Sequence, residues 1–158
     1  MTVAAELHMD NPVRVPILKS MTIDIIGGGL NGPALALAVA QGGLTSTVID
    51  ALPIALRTAP DFDGRSYALA LASQRLLGAI GLWNGLAANA QAMLEIKVTD
   101  GRAGEGPSPF FMHFDHAEIE EGPMGYLVED RYLRLALLEA MEAEPKITLR
   151  HEETVVTQ

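Results

Sequence analysis

The chain has 158 residues, 49% of them hydrophobic, enough to bury the core of one ordinary domain and too apolar for a disordered polypeptide. Twenty acidic against eleven basic residues give a formal net charge of −9, and a surface that acidic repels phosphate backbones, which argues against nucleic acid as a partner. Cysteine is absent, so disulfides, thiolate metal sites and thiol catalysis are excluded, as suits a reducing cytoplasm.

Residues 1–20 contain Asp10, Asn11, Pro12 and Pro16 and lack the basic start and apolar run of a secretory signal. They read as a flexible N-terminal extension, leaving 21–158 as the folded part. No apolar stretch reaches the roughly 20 residues needed to cross a bilayer. Met21 to Ile26 is short, β-branched and bounded by glycine, the pattern of a buried strand. Pro33 to Gln41 predicts a helix with proline in its first turn, stopped by Gly42 and Gly43, and Thr45 to Asp50 predicts a second strand. Leu52 to Gly64 reads as a connection without regular structure, and Ser66 to Ile80 as a helix ended by Gly81. Trp83 to Ala92 reads as helical or irregular, with Trp83 a packing residue. Leu94 to Thr99 reads as a half-buried strand that turns at Asp100-Gly101. Gly104 to Pro109 is then a loop, Phe110 to Phe114 the returning strand and Met124 to Val128 another short strand. Asp130 to Ala143 predicts a helix capped by Asp130, with Leu133, Leu137, Leu138 and Met141 on one side, and Ile147 to Val156 a closing strand.

The first strand, helix and second strand frame a glycine-rich turn. Gly27, Gly29 and Gly32 fit G-x-G-x-x-G, with Leu30 and Asn31 between the last two, and Asp50 closes the next strand eighteen positions after Gly32. In such a unit the first glycine permits the tight turn and the second lets a pyrophosphate approach the backbone. The third allows close helix–strand packing, and the terminal acid accepts hydrogen bonds from the adenosine ribose. The helix start adds unpaired N–H groups and a positive dipole end. Gly27, Gly29, Leu30, Asn31, Gly32 and Asp50 are therefore candidate dinucleotide-binding residues. An acid at position 50 disfavours a 2′-phosphate, and the pattern itself leaves FAD and NAD both open.

Three further stretches carry a resemblance. They are Asp63 to Ser73 followed by Arg75 and Leu82-Trp83, then Ile96 to Gly101, and finally Gly125 to Arg131 followed by Leu133 and Ala136-Leu137. Together they resemble the FAD-dependent aromatic hydroxylases, most closely the ubiquinone-biosynthesis monooxygenases of the UbiH type, from about residue 22 to the end. The resemblance implies an α/β fold with a Rossmann-like FAD-binding βαβ unit on a parallel sheet, plus a partial β-hairpin on the substrate side. It implies a monooxygenase in which NAD(P)H reduces FAD and oxygen is then used to hydroxylate an aromatic ring, the substrate being a prenylated phenol of ubiquinone biosynthesis. Arg65 would match the family arginine near the FAD phosphates and ribose, where a guanidinium suits a diphosphate. Arg131 would lie in the Glu-Asn-Arg segment near the cofactor, with Asp130 in place of the usual Asn. The resemblance names no catalytic residue in this stretch.

The family also carries a later Gly-Asp segment, and nothing after Arg131 resembles it, so the chain reads as the N-terminal part of a larger enzyme, inactive and weak in holding FAD alone. A lipid-soluble prenyl tail would suit a cytoplasmic enzyme peripheral to the inner membrane, or contact with a biosynthetic complex. An NAD-dependent dehydrogenase and a non-catalytic dinucleotide-binding module are the alternatives. His113 and His116 flank Asp115, but residues three apart on a strand face opposite sides and no third distant ligand stands out, so no metal site is assigned. Glu118 to Glu121 reads as a solvated turn, and Ser66 and Ser73 lack the context of a nucleophile.

Overall fold

The computed structural model describes residues 21–61, 63–102, 104–118 and 122–157. The N-terminal extension, Phe62 and most of the acidic turn after Glu118 lie outside the described residues. Strand β1 (Thr22–Ile26), helix α1 (Asn31–Gln41) and strand β2 (Thr45–Asp50) form a β-α-β unit in which β1 and β2 pair in parallel, Ile26 opposite Ile49. The amide of Gly27 donates to the Ile49 carbonyl at 2.8 Å, extending the ladder one residue into the glycine turn. On the other edge of β2 the last strand, β8 (Ile147–His151), is also parallel and sets His151 opposite Asp50. The protein is thus mixed α/β with a parallel sheet in the order β1-β2-β8.

Beyond β2 come a one-turn helix α2 (Ile54–Arg57), strand β3 (Ser66–Ala70) and helix α3 (Leu71–Ala79). Helix α4 (Trp83–Leu86) and strand β4 (Ala90–Met93) follow, with a 3-10 turn at Ala87–Asn89 between them. Strands β5 (Glu95–Arg102) and β6 (Gly106–Asp115) make a separate hairpin, and β7 (Gly125–Glu129) leads into helix α5 (Asp130–Ala143). Antiparallel pairing joins β3, β7 and β4 into a second sheet in that order.

The single helix expected from Ser66 is therefore a strand followed by a helix. The run Ser66 to Ala70 fits both periods, and pairing decides: alternate residues Tyr67 and Leu69 turn inward while Ala68 and Ala70 lie exposed against β7. Trp83 starts a helix and meets Tyr126 edge to face, ring centroids 4.7 Å apart, but Ala90 onward is strand rather than helix. The turn expected at Asp100-Gly101 is also displaced. β5 continues through it to Arg102 with a register shift between Thr99 and Gly101, and the strands approach so closely that a Cβ at Gly101 would sit 2.9 Å from the Gly106 carbonyl oxygen. The chain reverses beyond Arg102, with Gly104 at φ +88°. The connection after β2 contains α2, and β8 ends at His151 rather than Val156.

Helix α5 matches its expected bounds and buries Leu133, Leu137, Leu138 and Met141. They meet Ala36, Leu37 and Ala40 of α1 in a core that also takes Ile25 and Val48 from the parallel sheet and Leu77, Leu86 and Val128 from the second layer. The small α1 residues let that helix lie close to the sheet, which fixes the height of the glycine turn above the carboxyl ends of β1 and β2.

Candidate functional site: a cleft over the glycine turn

The turn from β1 into α1 has no side chains at its bend. Gly27 holds φ +105°, a conformation other residues rarely adopt. A Cβ on Gly32 would overlap the Gly27 carbonyl and crowd Ile25 at 3.3 Å, so the third glycine is demanded by helix–strand packing. Gly29 differs: a Cβ there would meet nothing within 4 Å, so it faces open space. Leu30 is the N-cap of α1 without a side-chain cap, and Asn31 opens the helix, exposed.

This turn forms one wall of a cleft of about 520 Å³. Its lining includes Gly28, Gly29, Leu30, Asp50, Arg65 and Arg134. Asp50 reaches back to the turn: its Oδ2 accepts from the Gly28 amide at 2.5 Å and its Oδ1 from the Leu52 amide at 2.7 Å. Arg57, the last residue of α2, is ion-paired with Asp50. Burial raises the Asp50 pKa, but the amides of Leu52 and Gly28 and the Arg57 guanidinium outweigh it and hold the group below its ordinary 3.8. The stabilisation is complete above pH 3.8, where the unfolded carboxylate is ionised, and is lost as pH falls through the lowered folded value. Acid unfolding followed by circular dichroism should therefore show Asp50→Asn losing less stability than the parent below pH 3.8, with the two curves parallel above it.

On the far wall a second cluster centres on Asp130. The carboxylate is 4% exposed and takes Arg134 Nε at 2.9 Å and Nη2 at 2.7 Å, the Tyr67 hydroxyl at 3.1 Å, and Arg65 at a longer 3.4 Å. Burial first, then the hydrogen bond and charge of Asp130, raise the Tyr67 pKa, so the phenol stays a donor. Asp130 is not the helix cap expected of it. Glu129 occupies that position without a side-chain cap bond, and Asp130, the first helical residue, turns inward because two cations and a hydroxyl offer more than one backbone amide. Arg134 also donates to the Leu56 carbonyl, tying α5 to α2.

Of the expected residues, Gly29, Leu30, Asp50 and Arg65 line one cleft; Gly27 and Gly32 shape the turn without lining it, and Asn31 opens α1. Arg65 is half exposed and folded onto Asp63 at 2.8 Å. Arg131 is not brought to the cleft; its side chain pairs with Glu129 at 2.7 Å, reaches the Pro60 carbonyl at 3.1 Å and lies over the Tyr132 ring. Arg134, one helical turn on, faces the cleft instead, and its i,i+4 spacing from Asp130 was a usable signal. Gly28 and Arg57 carried no such signal. His113 pairs with Glu95 at 3.4 Å and His116 with Asp115 at 3.1 Å, and no group of three His, Asp or Glu able to hold a metal occurs among the described residues. No helix among them is long and apolar enough to cross a membrane.

No protein-family model matches the chain. Curated relatives do. Ubiquinone hydroxylase UbiL of Rhodospirillum rubrum is 44% identical over 138 residues, covering 87% of this chain and 31% of that protein. The 3-demethoxyubiquinol 3-hydroxylase of Escherichia coli is 38% identical over 131 residues, covering 81% and 32%. In structure, p-nitrophenol 4-monooxygenase PnpA from Pseudomonas putida superposes with a TM-score of 0.62 at 17% identity over 83% of this chain and 32% of that one. The flavin-dependent monooxygenase PieE, solved with FAD and substrate, gives 0.61 at 19% identity over 84% and 24%. The fold is that of part of these FAD-dependent monooxygenases. In sequence the chain matches the N-terminal part of these ubiquinone hydroxylases and spans about a third of the length of the curated relatives.

Proposed function

We propose that this chain forms the FAD-binding N-terminal part of a monooxygenase that hydroxylates the aromatic ring of a prenylated phenol in ubiquinone biosynthesis, with NAD(P)H as electron donor and O2 as co-substrate. The observation that carries the reading is the open bend at Gly29, set against the start of α1 with Asp50 at its side. The residues present fit the adenosine diphosphate portion of FAD. Gly29 leaves room for a pyrophosphate, the first-turn amides of α1 can donate to it, Asp50 can accept from ribose hydroxyls, and Arg65 lies where its charge can balance the diphosphate. The β1-α1-β2 unit is in this reading a Rossmann-like dinucleotide fold. FAD supplies electron transfer and oxygen activation when bound; the protein residues hold it and exclude water. A lipid-soluble substrate supports a cytoplasmic enzyme peripheral to the inner membrane.

The test separates binding from folding. In the full-length protein Gly29→Ala adds a methyl group into open space, so its unfolding free energy should stay within about 0.5 kcal/mol of the parent. Its FAD affinity should fall about tenfold, a loss of about 1.4 kcal/mol, read by titration of flavin fluorescence. Unchanged FAD affinity would overturn the proposal, and retention of NAD with no affinity for FAD would move it to the dehydrogenase alternative.

A further inference from the structure

The carboxylate assigned above to a sugar, and the Gly28 side of the bend beside it, are held, in this structure, by a side chain of the protein itself. Arg57 is only 6% exposed. Its guanidinium lies against the bend so closely that a Cβ on Gly28 would overlap it unless the arginine swung aside. The same guanidinium is ion-paired to Asp50 Oδ2, the oxygen that already accepts from the Gly28 amide, while Oδ1 is taken by Leu52. A ribose hydroxyl seeking Asp50 therefore meets a carboxylate already held by three donors of the chain itself.

The bond that holds Arg57 there is incomplete. Its buried Nη2 finds no well-directed hydrogen-bond acceptor, so burial of the charge is only partly compensated. Arg57 also sits on an element built to yield. Helix α2 has four residues, exposes Ile54 and Leu56, and buries only Arg57. So few apolar contacts mark a segment that opens at low cost.

We propose that the Asp50–Arg57 ion pair is a latch over the adenosine end of the cleft, closed in the free protein and displaced when a nucleoside diphosphate takes Asp50. The inference rests on the dinucleotide reading above. A latch of this kind lowers apparent affinity by the fraction of molecules that are open, and breaking it removes that handicap.

The experiment compares the full-length protein, freed of nucleotide, with Arg57→Met and Arg57→Lys, using ADP and FAD as separate probes in equilibrium titration and stopped-flow binding. Arg57→Met should bind ADP about fivefold to tenfold more tightly, through faster association. Faster association is diagnostic because loss of a positive charge by itself slows the approach of an anion. Arg57→Lys, which keeps the charge but not the planar fork, should fall between. Equal or weaker ADP binding by Arg57→Met overturns the latch and makes Arg57 a phosphate ligand or a bystander. ADP binding with the expected ratio but no FAD binding leaves the latch standing and overturns the flavin reading. Absence of ADP binding by every form overturns the latch as well. Should circular dichroism show Arg57→Met unfolded, the lysine variant carries the same comparison.

Discussion

Replacing Asp130 by alanine should cost about 3 kcal/mol of stability, measured as a lowered urea midpoint with unchanged slope. Removing one member of a buried ionic cluster leaves the others charged without compensation, and here Asp130 serves Arg134, Arg65 and the Tyr67 hydroxyl together. The loss lies at the lower end of the usual range because Arg134 keeps 14% of its side-chain exposure and Arg65 keeps 58%, so both can be rehydrated. Asp130→Asn retains an acceptor for Tyr67 and loses the charge, so it should cost about 1.5 kcal/mol. The cluster also joins β3, α5 and, through Arg134 and Leu56, the segment that carries Arg57. Hydrogen exchange in α2 should therefore quicken in the alanine variant. A change below about 1 kcal/mol would mean that the carboxylate is no more than a solvated group beside its neighbours.

Gly32→Ala should lose both stability and cofactor. Its Cβ would overlap the Gly27 carbonyl, a backbone atom that cannot rotate away, and would crowd the Ile25 side chain. Helix α1 must then lift from β1, at a cost of about 1–3 kcal/mol. The same shift moves the first-turn amides relative to Asp50, so FAD affinity should fall by more than tenfold, or more than about 1.4 kcal/mol. Gly29→Ala provides the contrast, losing affinity alone. A Gly32→Ala variant with parental denaturation and parental affinity would show that the close approach of helix to strand is dispensable. That outcome would also undercut the assignment of the bend as a phosphate cradle.

Elements whose pattern admits one period were legible in advance. β2 reads as Thr45 to Asp50 and is Thr45–Asp50, and α5 reads as Asp130 to Ala143 and is Asp130–Ala143, because its buried leucines repeat at helical spacing over three turns. Ser66 to Ala70 was not legible: alanine and leucine alternate there in a way that fits either structure, and only the pairing edges of β7 turn it into a strand. Asp100-Gly101 has turn chemistry, yet Gly101 is used for close approach of two strands and the reversal falls later.

The candidate site divides along the same line. Local backbone requirements are written into the chain, since only glycine tolerates φ +105° at position 27 or contact with the Gly27 carbonyl at position 32. Long-range electrostatic partners are not so written. That Arg57 closes on Asp50, that Arg134 rather than Arg131 faces the cleft, and that Asp130 turns inward instead of capping its helix depend on where α2 and α5 settle against the sheets. A charged side chain can satisfy itself with any opposite charge the fold brings within reach, so its partner is chosen by packing, whereas a missing side chain answers to the backbone beside it.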